Sequence, residues 1–371
     1  MSPVPITVDT MRPKLLSLDV ARDLLATTEP LSAIEFGIDA GTRFRVDPGW
    51  QHGIDAKAGT EQVDASLVLG GTEFPLSKDA VLAAASICGL RKDYTARCPA
   101  ELLAPQLNYW FQRGLADLRG KHDYQLLTTA GTGATITRAA ITPFSNVALL
   151  QQAVDGIEAR FGPGTEILAD YKLTHTLRRT HLRLIVPAAT RLLTGTGTAE
   201  DPWSLGIQFR NSLTGDDKTS IDGYLFRWTC TNGQTDSSAT SGVWTRRSGG
   251  TEDDVYAWAR TAVDNILGGL EPALDAVQAL TQVPVTGEVN TVLRDLFSHY
   301  KVSLTERSRI IDNLVDAGGD LTMYTVMNAI TEVANGIDLD PAHVDNLLRM
   351  GGDIPHTITE RCEHCRRMMP H

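Results

Sequence analysis

The chain changes period partway along. From about residue 165 to 247 apolar and polar residues alternate, and from Thr251 onward apolar residues recur every three or four positions. Alternation describes a strand with two unlike faces, because successive side chains leave an extended backbone on opposite sides. Trp203, Leu205, Ile207 and Phe209 fall on one side of such a strand, and Ser204, Gly206, Gln208 and Arg210 on the other. Strands are expected at 165–172, 180–187, 203–211, 221–230 and 242–247, separated by stretches rich in Gly, Thr, Asn and Asp, and together they read as an antiparallel sheet. Beyond it, Val255, Trp258, Ala262, Val263, Ile266 and Leu267 keep helical spacing, and further helices are expected at 272–281, 288–299, 305–317, 322–335 and 341–350.

Upstream of the sheet the pattern is mixed. Residues 33–38 and 42–46 read as strands joined by a hairpin turn at Asp39-Ala40-Gly41, and 65–69 as another strand. Ser77 is placed to cap a helix over 79–88, and Pro99 to open one that runs to about 115. Two strands flank Gly131-Thr132-Gly133, and Ser145 or Asn146 caps a helix that Gly162-Pro163-Gly164 ends. The expected class is α+β: a central antiparallel sheet with packed helices, a mixed N-terminal region and a helical C-terminal region. The boundaries expected are 1–120, 121–250 and 251–350, followed by a Cys/His-containing tail at 351–371.

With 371 residues, 42% of them hydrophobic and 21% charged, the chain has enough apolar mass for a sizeable core and is not a disordered sequence. No apolar run reaches the ~18 residues of a membrane span, and the N-terminus reads as carrying no secretory signal. Five cysteines point to a reducing compartment, so a cytoplasmic setting and no membrane partner are expected. No P-loop, HExxH or GxSxG is present, and nothing singles out a catalytic centre, so the chain is read as a non-enzyme.

Charge is distributed unevenly. Between Asp170 and Gly250 ten Lys/Arg face seven Asp/Glu, which leaves +3 there and −14 on the rest of a chain of net charge −11. A basic sheet inside an acidic protein suits phosphate contact. Arg179, Arg183, Arg210 and Arg227 are the candidates to touch phosphates, and Tyr224 the candidate to stack on an unpaired base. The bland alternative is a wet sheet face that carries arginine for solubility. Asn211, Ser212 and Asn232 form a candidate polar loop at the strand ends, though turn chemistry is the favoured explanation of the same residues. Cys362 and Cys365, two residues apart, make half of a zinc site that His371 would help complete, so a structural zinc in the tail is the one cofactor considered.

Three stretches in a fixed order carry a resemblance. The first runs from Cys88-Gly89-Leu90-Arg91-Lys92-Asp93-Tyr94 through Arg97-Cys98-Pro99 to Leu107-Asn108-Tyr109-Trp110. The second runs from Leu205-Gly206-Ile207 through Asn211-Ser212-Leu213-Thr214-Gly215 to Arg227-Trp228-Thr229-Cys230-Thr231-Asn232-Gly233, and the third is Met327-Asn328-Ala329-Ile330-Thr331-Glu332. Together they resemble the phage/plasmid-like protein family, a domain of unknown function found in phages, prophages and plasmids. The match covers about residues 75–335 and departs at Thr214-Gly215-Asp216-Asp217, where an Asp-Gly turn is the family's habit. The resemblance implies a mobile-element setting. Joined to the basic sheet, it gives the expectation of a phage-like protein that binds nucleic acid, single-stranded DNA foremost, in replication or recombination. The alternative is a non-enzymatic assembly or host-modulating protein that acts through a protein partner, with a homo-oligomer as a further option.

Overall fold

The protein is described from a computed structural model. It describes residues 15–26, 32–37, 41–48, 50, 62–114, 123–129, 131–139, 144–170, 174–175, 180–196, 201–212, 219–228, 232–236, 242–244, 252–285, 289–318, 321–334 and 341–361. The fold is α+β, and among the described residues no helix is long and apolar enough to cross a membrane.

Two sheets organise the chain, each with its own buried cluster. The first has the order β2-β6-β7-β5-β4-β3, from β2 (Ser32–Phe36), β3 (Arg43–Val46), β4 (Gln62–Leu69), β5 (Thr72–Ser77), β6 (Tyr124–Thr129) and β7 (Thr132–Arg138). Its pairs are antiparallel except β5 with β7, which meet in parallel at Leu76 and Gly133. A Cβ on Gly133 would lie 2.7 Å from Leu76 Cδ2 and 2.9 Å from Leu126 Cδ1, so the two halves of this sheet pack tightly against this glycine. The expected hairpin between 33–38 and 42–46 does not form. β2 pairs with β6 and β3 with β4, so both strands found long-range partners instead of each other.

Helices α2 (Lys78–Ile87), α3 (Lys92–Arg97) and α4 (Ala100–Tyr109) belong to the same unit. Ser77 Oγ accepts the Ala80 N–H at 3.2 Å and donates to the Ala134 carbonyl at 2.9 Å, so one residue caps α2 and ties it to β7. Leu103, Leu107 and Phe111, four apart, bury one face of α4 and its continuation against Leu76, Val81, Tyr124 and Ile136.

The second sheet runs β1-β8-β10-β11-β12-β13, all antiparallel, from β1 (Leu15–Ser17), β8 (Leu168–Asp170), β10 (Thr180–Leu193), β11 (Asp201–Asn211), β12 (Thr219–Arg227) and β13 (Asn232–Asp236). A short β9 (Thr174–His175) also pairs with β10, and β14 (Gly242–Trp244) pairs with β12. β10 continues past the expected end at 187 through an irregularity between Ile185 and Thr190. Leu182, Leu184, Trp203, Leu205, Ile207, Phe209, Ile221 and Leu225 share one face and pack on helices α5 (Asn146–Phe161) and α6 (Glu252–Leu280). The remaining helices are α7 (Val289–His299), α8 (Leu304–Ala317), α9 (Met323–Ala334) and α10 (Pro341–Arg361). Two helices expected on either side of Gly268-Gly269 are one, because α6 runs through Pro272 without a break.

The chain order of the two units differs from the boundaries expected. β1 and α1 (Leu18–Ala26) join the second unit: β1 pairs with β8, and Ala21 and Leu25 enter the larger core. β6 and β7, expected with the central sheet, complete the first one. Residues 32–138 therefore form a unit inserted between α1 and α5 of the other.

Candidate nucleic-acid interface

Three of the four arginines singled out on the central sheet, Arg183, Arg210 and Arg227, are held inside it. Arg183 has about 6% of its side chain exposed. Its Nη1 lies 3.2 Å from Asp170 Oδ2, its Nε donates to Gln208 Oε1 at 2.8 Å, and its guanidinium sits 5.4 Å over the Tyr224 ring. Tyr224 is wholly buried. Arg210 Nη2 donates to Asp222 Oδ2 at 2.9 Å, and Arg349 of α10 reaches the same oxygen at 2.7 Å. Arg227 lies on the other face, opposite Trp203 in the register, where its Nε donates to Asp201 Oδ1 at 2.7 Å and its guanidinium covers the Tyr324 ring at 5.6 Å. Tyr324 also donates to Asp201, and burial raises its phenol's pKa, with Arg227 opposing that shift and Asp201 adding to it.

These three arginines and Tyr224 therefore form internal ion pairs and ring contacts on two opposite faces, not one exposed surface. Alternation assigned each residue to a face, but it carries no information on whether that face is wet. Arg179 lies outside the described residues.

The polar-loop residues are structural where their side chains are described. Asn211 Nδ2 donates to the Phe144 carbonyl (2.7 Å) and to Asn146 Oδ1 (2.9 Å), and its Oδ1 accepts from Thr219 Oγ1 (2.9 Å). It joins β11, β12 and the start of α5, and Ser212 beside it is buried. Asn232 opens β13 opposite Arg227. Cys362, Cys365 and His371, with the zinc they would hold, lie outside the described residues.

Aromatic and cationic side chains meet in the open elsewhere, on the first unit. Tyr94 and Arg97 stand three residues apart on α3 and so share one of its sides, and Arg91 is its N-cap. On α4, Leu102, Gln106, Tyr109 and Arg113 recur at helical spacing on the side opposite Leu103 and Leu107. The last of them stands on a π-helical turn, Trp110–Gly114, that buries Phe111 and leaves Trp110 outward. Such turns are frequent at functional sites. Tyr94, Leu102, Tyr109 and Trp110 keep 44%, 52%, 51% and 40% of their surface exposed. The Tyr109 and Trp110 rings meet edge-on at 5.2 Å, and the Arg113 guanidinium lies 5.8 Å from the Tyr109 centroid.

Local bonds fix this surface from behind. Gln106 Nε2 donates to Tyr94 Oη at 2.8 Å, which ties α3 to α4. The buried Cys98 thiol lies 3.5 Å from the same oxygen and, ahead of the opposing Gln106 bond, raises the Tyr94 pKa. Trp50 Nε1 donates to the Cys98 carbonyl at 3.1 Å and pins the turn between the helices. Asn108 bonds both the N–H and the carbonyl of Phe44, at 2.6 and 2.8 Å, and so locks α4 to β3. Between the helices opens a cleft of about 450 Å³ walled by Arg91, Asp93, Tyr94, Arg97, Pro99 and Leu102, with Cys98 in its lining.

No family model, curated protein or solved structure matches the chain. The surface is accordingly characterised by its own chemistry. Four cations (Arg91, Lys92, Arg97, Arg113) stand against two carboxylates (Asp93, Glu101) over 91–113, a positive surplus on a protein of net charge −11. Three exposed rings interleave with them. The helical repeat 102-106-109-113 and the 91-94-97 triplet are both visible in the sequence. Spacing alone does not mark them as a site, because helix faces with this spacing are usually buried.

Proposed function

We propose that this protein binds single-stranded nucleic acid, DNA foremost, through the α3–α4 surface, in the replication or recombination of a phage-like mobile element. The observation that carries the reading is the set of exposed Tyr94, Tyr109 and Trp110 rings among arginines. Unpaired bases stack on such rings whatever their sequence, and the guanidiniums take the phosphates between. From Leu102 to Arg113 the stripe is about 16 Å long at a helical rise of ~1.5 Å per residue, room for a few nucleotides. The mobile-element setting is supported by the order of the three sequence stretches, the first of which builds this surface.

Fluorescence anisotropy with labelled 12-mers tests it. Single-stranded DNA binds at micromolar concentration and more tightly than duplex. Trp110→Ala and Tyr109→Ala each weaken binding about tenfold, within the ~1–3 kcal/mol of one stacked base. Removing Arg91 or Arg113 lowers the slope of log K against log salt by about 0.7. Equal binding by the wild type and the Tyr109/Trp110 double variant would defeat the proposal.

A second reading, a protein partner on the helical part, is favoured by Leu304 and Val315 of α8. They are 80% and 73% exposed, with Ile311 at helical spacing between them. Its simplest partner is a second copy of this chain. Sedimentation velocity then finds a dimer that Leu304→Asp with Val315→Asp converts to monomer, and a wild-type monomer at all concentrations removes that form of the reading.

A further inference from the structure

We infer that the cleft between α3 and α4 is a pocket for one unpaired nucleobase, and that it selects guanine. The inference rests on the nucleic-acid reading of this surface and adds a base preference to it.

The cleft's walls differ in chemistry. Tyr94 and Leu102 offer apolar surface to the face of a flat ring. Arg91, the N-cap of α3, and Arg97, its last residue, both line the cleft on either side of Tyr94 in the chain, so a base against Tyr94 has a cation from each end of the helix for its flanking phosphates. The volume of about 450 Å³ accommodates one base with its sugar. A stacked duplex presents no free ring face, so the pocket admits only unpaired bases.

Asp93 is the feature that a sequence-blind surface does not need. It lines the same cleft, and among the described residues no hydrogen bond or ion pair holds its carboxylate. An ionised carboxylate only accepts hydrogen bonds. It repels phosphate, so its place in a phosphate-binding surface is unfavourable unless the ligand brings donors to it. Cytosine and adenine each bring one exocyclic amino group. Thymine brings two carbonyls around a single N–H. Guanine alone carries adjacent ring N–H and amino donors on its unpaired edge, and these match the two oxygens of a carboxylate. Specific base contacts of this two-bond kind discriminate strongly against the wrong base.

The test uses fluorescein-labelled 12-mers of thymidine and the same strands with one central dG, dC or dA, measured by anisotropy on the full chain. One dG tightens binding about fivefold over all-thymidine, a value at the low end for a two-bond base contact because the cleft is open to water. In Asp93→Asn the ratio falls to near one, and circular dichroism confirms that this exposed position leaves the helices intact. Equal affinity for the dG and all-thymidine strands, with both weakened by Trp110→Ala, overturns the pocket and leaves the nucleic-acid reading standing. A dG preference that persists in Asp93→Asn also overturns it. Absence of binding to all four strands defeats both.

Discussion

Gly206 of β11 lies against β10, opposite Ile185. A Cβ there would fall 2.2 Å from the Leu184 carbonyl oxygen and 3.3 Å from the Tyr224 ring. The first clash is with backbone that is itself paired, so no rotamer change relieves it. Gly206→Ala is expected to cost about 3 kcal/mol, read as a drop in the urea midpoint at unchanged slope. Gly268, inside α6 with nothing within 4 Å of its Cβ position, gives the opposite outcome. There Gly268→Ala gains about 0.5–1 kcal/mol, because alanine loses less backbone freedom on helix formation. Cysteine chemistry is set at the same scale. Burial pushes the Cys88 thiol up to about 12, and its Sγ lies 3.9 Å from the Leu107 carbonyl. An ordinary cysteine of pKa ~8.5 is roughly one quarter thiolate at pH 8. Cys88 is almost wholly thiol there, and its alkylation by iodoacetamide in the native protein is expected to be at least about a hundredfold slower than in urea.

Elements are fixed by a few side chains whose removal can be measured one at a time. Ser303 accepts the Glu306 N–H, while Glu306 Oε2 accepts the Ser303 N–H at 2.7 Å, a complete capping box at the start of α8. Ser303→Ala removes half of it and is expected to cost about 1 kcal/mol, with the first turn of α8 losing amide-exchange protection before the rest. Arg349 ties α10 to β12 through the buried Asp222 carboxylate. Asp222→Ala strips the oxygen that both Arg349 and Arg210 use, and breaking such a pair from one side costs about 3–5 kcal/mol. Arginine substitutions in this network act on folding, so a loss of binding in Arg183→Ala or Arg210→Ala must be accompanied by a loss of structure.

What was legible in the sequence follows the same division. Local chemistry was readable: the Ser77 cap, the cap narrowed to Ser145 or Asn146 and found at Ser145, the stop at Gly162, and the hairpin of β6 and β7 each depend on residues within a few positions. The partners of β2 and β3 were not readable, because the strands that cover them lie far along the chain. Arg183, Arg210 and Arg227 were assigned to strands correctly, but the acids that neutralise them, Asp170, Asp201 and Asp222, come from other strands. The α3–α4 surface was present as spacing, and only the burial of Leu103, Leu107 and Phe111 shows which side of that helix faces out.

At the scale of the whole chain, the two sheets carry separate cores. Phe36, Leu67, Leu76, Leu107, Phe111, Tyr124 and Ile136 cluster in the inserted unit, and the helices and second sheet bury a larger set of their own. The parallel contact of β5 and β7 is a vulnerable point of the first unit. A Cβ on Gly133 meets the ends of the Leu76 and Leu126 side chains, which can shift, so Gly133→Ala is expected to cost about 1–2 kcal/mol, less than Gly206→Ala with its backbone clash. Each variant should act within its own unit. Hydrogen exchange followed by mass spectrometry in rising urea should lower protection across residues 32–138 in Gly133→Ala and leave the second sheet at its wild-type values, while Gly206→Ala does the reverse. If either substitution lowers protection equally in both units, the chain unfolds as one cooperative body, and the candidate interface borrows its stability from the far sheet. If the effects separate, the α3–α4 surface stands on the inserted unit alone, and a polypeptide of residues 32–138 is the smallest piece in which to look for nucleic-acid binding.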